Sequence, residues 1–148
     1  MSRRPTSEVI NAAIAATSDE IGLQLDEATR WLNDIVEQTY EQSRKKKKYC
    51  EICSTSCCSH ALHHIAGEKH DDRTITVCKA CHDELSARQN LRDRRWGDPN
   101  QSDAIKQGFF LWGLFDILEL KRDVTGNSMY TEIASRLRTN IWHVIRNG

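Results

Sequence analysis

The sequence contains no long hydrophobic run, no internal repeat and no long low-complexity segment. Its most apolar stretch, Gly108–Leu120, is too short to span a bilayer and contains Asp116 and Glu119. The N-terminus reads Met-Ser-Arg-Arg-Pro-Thr-Ser with no apolar core behind it, so no signal peptide is predicted. These absences argue against a membrane protein and predict a cytoplasmic one. There the six cysteines stay reduced and favour metal ions over disulfides.

The chain also lacks net charge, since 21 Lys and Arg balance 21 Asp and Glu. The charges are unevenly placed along the 148 residues, however. Residues 41–96 carry 12 basic against 8 acidic side chains, whereas residues 1–40 carry 3 against 7. A basic middle segment suits a polyanionic partner such as nucleic acid.

Four of the cysteines form two closely spaced pairs, Cys50-Glu-Ile-Cys53 and Cys78-Lys-Ala-Cys81, with 24 residues between the pairs. Each Cys-x-x-Cys places two thiolates on one tight turn, and two such turns supply the tetrahedral sulfur cage that Zn²⁺ prefers. The sequence therefore predicts a structural zinc held by Cys50, Cys53, Cys78 and Cys81.

The neighbouring residues allow two further interpretations. Cys57 and Cys58 lie in a serine-rich loop, and we expect them to be spare thiols rather than substitute ligands. The sequence Cys78-Lys-Ala-Cys81-His82 also matches the attachment signature of covalent haem. Haem would leave the first cysteine pair unexplained, so zinc is the preferred interpretation.

Three histidines accompany the cysteine pairs: His63 and His64 lie between them, and His82 directly follows the last cysteine. Together with the cysteines they resemble the zinc-stapled branch of the HNH endonucleases, over about residues 49–92. The resemblance implies a ββα-metal module, in which two strands, a loop and a helix hold a catalytic divalent ion. The implied activity is metal-dependent hydrolysis of DNA phosphodiester bonds.

The resemblance also implies a role for each of these histidines. His64 would be the general base, because a neutral imidazole can take a proton from water near neutral pH. His63 and His82 would bind Mg²⁺ or a similar divalent ion that stabilises the leaving oxygen. The alternative is a non-catalytic zinc module that binds nucleic acid or a protein partner.

The central asparagine that orients the base in this family has no counterpart here. No Asn lies between His64 and His82. His70 is the predicted substitute, since its ring can donate or accept a hydrogen bond. Asp71 and Asp72 are neighbours that could instead serve as ion ligands.

Basic side chains flank the predicted module on both sides. We expect backbone phosphates of DNA to contact Arg44, Lys45, Lys46, Lys47, Lys48, Arg88 and Arg92. Contacts of this kind predict binding that weakens with salt and shows little sequence preference. The alternative for residues 44–48 is a solvated helix end that complements the helix dipole.

The predicted fold class is α+β. The HNH-like module, residues 49–96, is embedded between N-terminal helices, residues 1–48, and a C-terminal helical hairpin, residues 97–148. Within the module we expect strands at 60–66 and 74–77 and a helix from Lys79 to about Leu91. Leu85 and Leu91 should face inward.

Two N-terminal helices are expected. Thr6 or Ser7 would cap a short one ending near Ala16, and Thr17-x-x-Glu20 would be the capping box of a longer one. The longer helix carries a heptad stripe, made of Ile21, Leu25, Ala28, Leu32, Ile35 and Thr39. Packing against the C-terminal hairpin is the preferred interpretation of this stripe, and a homodimer seam is the alternative.

The C-terminal hairpin is predicted from two apolar helical patterns. The first covers Asp103–Lys121, and the second follows a turn at Gly126 and a cap at Ser128. Their aromatic residues are expected to form core rather than a ligand site.

Overall fold

The structure is a computed structural model that describes residues 7–39, 46–57 and 59–147. Within these ranges it contains four α-helices and a two-stranded antiparallel sheet, which confirms the α+β class. The elements are α1 (Ser7–Gln38), β1 (His60–His64), β2 (Thr74–Cys78), α2 (Lys79–Gln89), a 3₁₀ turn (Arg94–Gly97), α3 (Asp103–Thr125) and α4 (Met129–Asn147). None of the described helices combines the length and apolarity that a membrane crossing requires.

The N-terminal segment forms one helix, so the prediction of two was wrong. α1 runs without a break through Thr17–Glu20, the expected start of a second helix. Neither Pro nor Gly occurs in residues 7–21, and Ser or Thr inside a helix lowers its stability by only about 0.5 kcal/mol. Nothing therefore ends the helix near Ala16. The alternative cap Thr6 lies outside the described residues.

The later half of the α1 stripe packs on the C-terminal hairpin, as the preferred interpretation required. Ala28 is fully buried, and Trp31 meets Tyr130 of α4 edge to face with ring centroids 5.6 Å apart. The earlier half of the same stripe extends beyond this contact. There Ile21 and Leu25 are 46% and 37% exposed.

β1 and β2 pair with His60 opposite Cys78 and His64 opposite Thr74. β1 ends two residues earlier than predicted. The N–H of Ile65 still donates to the carbonyl of Arg73 at 3.0 Å, but the N–H of Gly67 then turns back to the carbonyl of His64 at 3.2 Å. The carbonyl of Ala66 accepts from the indole N–H of Trp96 at 2.9 Å. β2 runs directly into α2, so the last strand residue is also the N-cap of the helix.

α2 ends at Gln89, and its Leu85 is buried as predicted. Leu91 was wrongly predicted to face inward. It is 85% exposed, because the helix has already ended and the residue no longer follows the helical repeat.

α3 and α4 form the predicted hairpin, although α3 continues to Thr125 rather than stopping at Lys121. The hydroxyl of Ser102 caps α3 by accepting from the N–H of Ile105 at 3.2 Å, and Gly126 ends the helix with φ +72°. One hydrophobic core joins residues from all three predicted segments, among them Ile35, Ile52, Ile65, Ile75, Phe109 and Ile141.

Candidate metal centre and histidine pair

The four cysteines predicted to bind zinc converge on one point. Their Sγ atoms all lie within 4.8 Å of one another, and those of Cys53 and Cys78 are 3.7 Å apart. A tetrahedron with Zn–S bonds of about 2.3 Å has sulfurs about 3.8 Å apart, so the spacing fits the ion. Elsewhere in the described ranges, no other group of three or more Cys, His, Asp or Glu side chains is close enough to share an ion.

A closed turn presents the first cysteine pair. The N–H of Cys50 donates to the carbonyl of Thr55 at 2.9 Å, and the N–H of Ser54 donates to the carbonyl of Cys50 at 2.9 Å. Ser54 takes up the left-handed conformation, with φ +64°, that closes the turn. The N–H of Cys53 then points at the sulfur of Cys50, 3.5 Å away.

The start of α2 presents the second pair. Cys78 is the N-cap of this helix and Cys81 lies in its first turn, so both sulfurs sit near the positive end of the helix dipole. Burial raises the pKa of Cys50, but N–H donors, first from Cys53 and then from Cys78 and Ile52, outweigh it and bring the pKa down to about 7. Burial and the charge of Cys50 raise the pKa of Cys81. Binding a metal would therefore release thiol protons.

Two helices hold the turn between Cys50 and Cys53. The ammonium of Lys121 on α3, a residue only 8% exposed, donates to the carbonyl of Ile52 at 2.7 Å. The indole N–H of Trp31 on α1 donates to the carbonyl of Glu51 at 3.1 Å. The sequence motif gave no sign of these contacts, because both helices lie outside it.

The sheet and α2 bring two of the predicted ion ligands together. The ring centroids of His63 and His82 are 5.3 Å apart with their planes at 88°. His63 is buried, whereas the side chain of His82 is 39% exposed. Burial, followed by the charges of His82 and Arg92, lowers the pKa of His63 to about 4. The ring of His63 is thus neutral near pH 7 and keeps a lone pair for a metal ion.

His64, the predicted base, is half-buried at the end of β1. Side chains of successive strand residues point to opposite faces of a sheet, so the His64 side chain leaves β1 on the face opposite that of His63. Burial alone would raise the pKa of Asp71, but hydrogen bonds from Arg73 outweigh burial and bring the pKa below its usual value. The charge of His64 adds to that lowering. Arg73 holds the Asp71 carboxylate through its Nε and Nη2 at 2.7–3.0 Å.

His70, the predicted substitute for asparagine, has other partners. Its Nε2 forms a hydrogen bond with the carbonyl of Trp96, and its ring lies 4.9 Å from that of Phe109. In the described part of the chain, its Nδ1 is buried without a partner and no hydrogen bond joins it to His64. His70 is therefore held by Trp96 and Phe109 rather than by His64.

Arg92 does not face solvent, so its assignment to DNA binding is corrected. Its side chain is 1% exposed, and its Nη2 lies 2.9 Å from a carboxylate oxygen of Asp116 on α3. Its Nη1 donates to the carbonyl of Ala66 at 3.3 Å. The guanidinium therefore fixes the loop after β1 and cannot reach a phosphate.

The other predicted phosphate contacts differ in exposure and in ion pairing. Lys46 and Lys48 are exposed. Lys47 pairs with Glu51 at 2.8 Å, and Arg88 pairs with Glu84 at 3.1 Å. Arg44 and Lys45 lie outside the described residues, as does Cys58.

Two further residues position the histidines, and the sequence interpretation missed both. The side-chain amide of Gln89 donates to the carbonyl of His64 at 3.0 Å. Gly113 on α3 lies directly against the next residue, since a Cβ there would be 1.9 Å from the carbonyl oxygen of Ile65. A glycine inside an apolar helix is the only sequence signal for such a close approach.

Comparison with known proteins found no family model, no curated protein and no solved structure that matches this chain. The arrangement of the sulfurs and imidazoles is therefore the basis for assigning a function.

Proposed function

We propose that the chain is an HNH-type endonuclease that uses a divalent ion to hydrolyse DNA phosphodiester bonds. The observation that carries this proposal is the pair formed by buried, neutral His63 and half-exposed His82, with ring centroids 5.3 Å apart. Neither ring belongs to the four-sulfur cluster. A structural zinc cage does not need this pair, whereas the ββα-metal arrangement does.

His63 and His82 would hold the catalytic ion. Two imidazoles leave most of the coordination sphere open to water and to a phosphate oxygen. Imidazole nitrogen suits transition ions such as Fe²⁺, Ni²⁺ and Zn²⁺ better than Mg²⁺, which prefers oxygen ligands, so several ions deserve testing. When bound, the ion would stabilise the charge that develops on the leaving oxygen.

His64 would accept the proton of the attacking water. Its ring forms no hydrogen bond in the described part of the chain, so a lone pair is free for that proton. Asp71, held by Arg73, would stabilise the imidazolium that results, which a nearby negative charge does in general. Asp71 would thus replace the central asparagine of the family.

DNA would be held through its backbone by the exposed Lys46 and Lys48. Lys47 and Arg88 are already paired with carboxylates, so among the predicted phosphate contacts that the structure describes, Lys46 and Lys48 remain to replace counterions. Binding should therefore weaken with salt, but less steeply than contacts from all seven predicted cations would imply.

The experiment is cleavage of supercoiled plasmid with Mg²⁺ or Mn²⁺, comparing wild type with His64→Ala and His82→Ala. We expect each variant to lose at least about 100-fold in rate, as removal of a general base or an ion ligand does. His143→Ala is the matched control, because that ring lies on α4 and its hydrogen bond among the described residues is with Asn147, at 3.2 Å. Equal nicking by wild type and His64→Ala would remove the base assignment.

The second candidate function is a non-catalytic zinc module that binds nucleic acid or a protein partner. The exposed Ile21 and Leu25 favour it, since they lie one turn apart on the same side of α1 and offer an apolar face for a partner or a second copy. This function predicts no nicking by any variant. If α1 forms a homodimer seam, Leu25→Asp should convert a dimer into a folded monomer in sedimentation.

A further inference from the structure

We infer that Lys121 is a counter-cation for the metal-bound thiolates and makes the cage retain its ion rather than react. Zn²⁺ with four thiolates carries two net negative charges. Three of the four cysteines, Cys50, Cys78 and Cys81, are buried, and buried charge is costly unless an opposite charge compensates it. This inference depends on a metal in the cage and not on nuclease activity.

The ammonium of Lys121 lies at the backbone of the cage. Its Nζ is 2.7 Å from the carbonyl oxygen of Ile52, the residue directly before Cys53. The same Nζ is 4.9 Å from the ring centroid of Trp31, which covers it with an aromatic face. The ammonium is thus held in place by a carbonyl and a ring.

Lys121 also lacks the usual partner of a buried cation. Among the described residues, no carboxylate lies within ion-pair distance of its Nζ. Arg92, the other buried cation, has Asp116 at 2.9 Å. A buried lysine without a carboxylate requires compensation from elsewhere. Thiolates of the cage, on either side of the Ile52 carbonyl that the ammonium binds, would supply that compensation.

The surrounding charges agree with this assignment. Burial lowers the pKa of Lys121, and the charges that oppose this lowering come from Cys50, then Glu27, then Cys53 and Cys81. Three of these four groups are ligands of the cage. A cation beside the thiolates compensates their buried negative charge, so we expect slower metal loss. It also makes the sulfurs less nucleophilic, so we expect slower alkylation.

The test measures zinc affinity of the full chain by competition with a chromogenic chelator. Lys121→Met removes the charge but keeps the apolar stem, and Lys121→Arg keeps the charge. We expect Lys121→Met to bind zinc about 10- to 100-fold more weakly, the range for residues that support metal ligands, and Lys121→Arg to stay close to wild type. Lys106→Met on the same helix is the control and should have no effect. If Lys121→Met does not fold with excess zinc, Lys121→Gln takes its place.

A second comparison separates charge from the hydrogen bond to Ile52. Cys53→His replaces a thiolate by a neutral ligand and removes one negative charge from the cage. If Lys121 acts through its charge, Lys121→Met should weaken binding less in the Cys53→His background than in wild type. Equal losses in both backgrounds would overturn the inference.

Two further outcomes distinguish this inference from the other proposals. If wild type binds zinc and Lys121→Met binds it equally well, only the role of Lys121 is refuted. If wild type binds no zinc, the cage and the role of Lys121 are refuted together. The plasmid cleavage assay decides the nuclease proposal separately.

Discussion

Replacing Gly113 by alanine should destabilise the protein, although the same change usually stabilises a helix. The new Cβ would lie 1.9 Å from the carbonyl oxygen and 2.6 Å from the carbonyl carbon of Ile65. Real Cβ contacts are essentially never shorter than 3.0 Å, so α3 must move about 1 Å away from the end of β1. The obstacle is backbone, so no side chain can rotate out of the way.

The magnitude follows from two opposing effects. Alanine is favoured over glycine inside a helix by about 1 kcal/mol. Forcing extra volume into a packed core costs about 1–3 kcal/mol, and an immovable carbonyl places Gly113 at the upper end. We therefore expect a net loss of about 2 kcal/mol in the free energy of unfolding. At about 3 °C per kcal/mol for a chain of this size, the melting temperature should fall by about 6 °C.

Thermal unfolding with excess zinc measures this effect, and two other glycines provide matched controls. A Cβ at Gly22 would meet nothing within 4 Å, so Gly22→Ala should raise the melting temperature slightly. A Cβ at Gly108 would lie 2.8 Å from the end of the Ile145 side chain, which can yield, so Gly108→Ala should fall in between. If Gly113→Ala melts at or above wild type, the close packing of α3 on Ile65 is refuted.

Three further predictions concern the buried charges and the metal. Arg92→Met should lower the free energy of unfolding in a urea titration by about 3–5 kcal/mol, because it leaves the Asp116 carboxylate unpaired. Adding Asp116→Leu to Arg92→Met should restore much of that loss. Equal stability of the single and the double variant would contradict the ion pair. The pKa of His63 is lowered from 6.5 to about 4 on folding, so the unfolded chain binds more protons between these values; stability from this group is complete above pH 6.5 and falls as the pH drops toward 4. Unfolding of wild type and of His63→Asn is compared with one equivalent of zinc, which the cysteines take up, so that the imidazole carries no second ion. Relative to His63→Asn, wild type should lose about 2 kcal/mol of unfolding free energy between pH 7.5 and pH 5, and an unchanged difference would refute a neutral buried ring. Cys50→Ser should reduce bound zinc from about one ion per chain to almost none by elemental analysis, whereas Cys57→Ser, which alters an exposed thiol, should leave it unchanged.

The parts of the fold that could be predicted are those in which local pattern determines structure. The spacing of the cysteine pairs implied a common ion site, and the β-branched run Thr74–Val77 implied β2. Both held because a tight turn and a strand depend mainly on neighbouring residues. The hairpin was predictable for the same reason, since apolar periodicity and a glycine turn define it.

The parts that were missed depend on contacts between distant residues. Arg92 looked like a phosphate ligand because its partner Asp116 lies 24 residues away inside an apolar helix. His70 was placed near His64 by its position in the loop, but the carbonyl of Trp96 holds it elsewhere. No local pattern encodes where such a carbonyl or carboxylate will lie.

The tie between the metal turn and the helices has a consequence for the evolution and engineering of this module. Lys121 and Trp31 anchor the segment between Cys50 and Cys53 from two different helices, and Gly113 lets α3 lie flat against the end of β1. Residues 49–96 grafted onto another scaffold would leave these attachments behind. The segment that carries the cysteine pairs is thus tied to its neighbours, and recombination would have to transfer nearly the whole chain to transfer that segment with its supports.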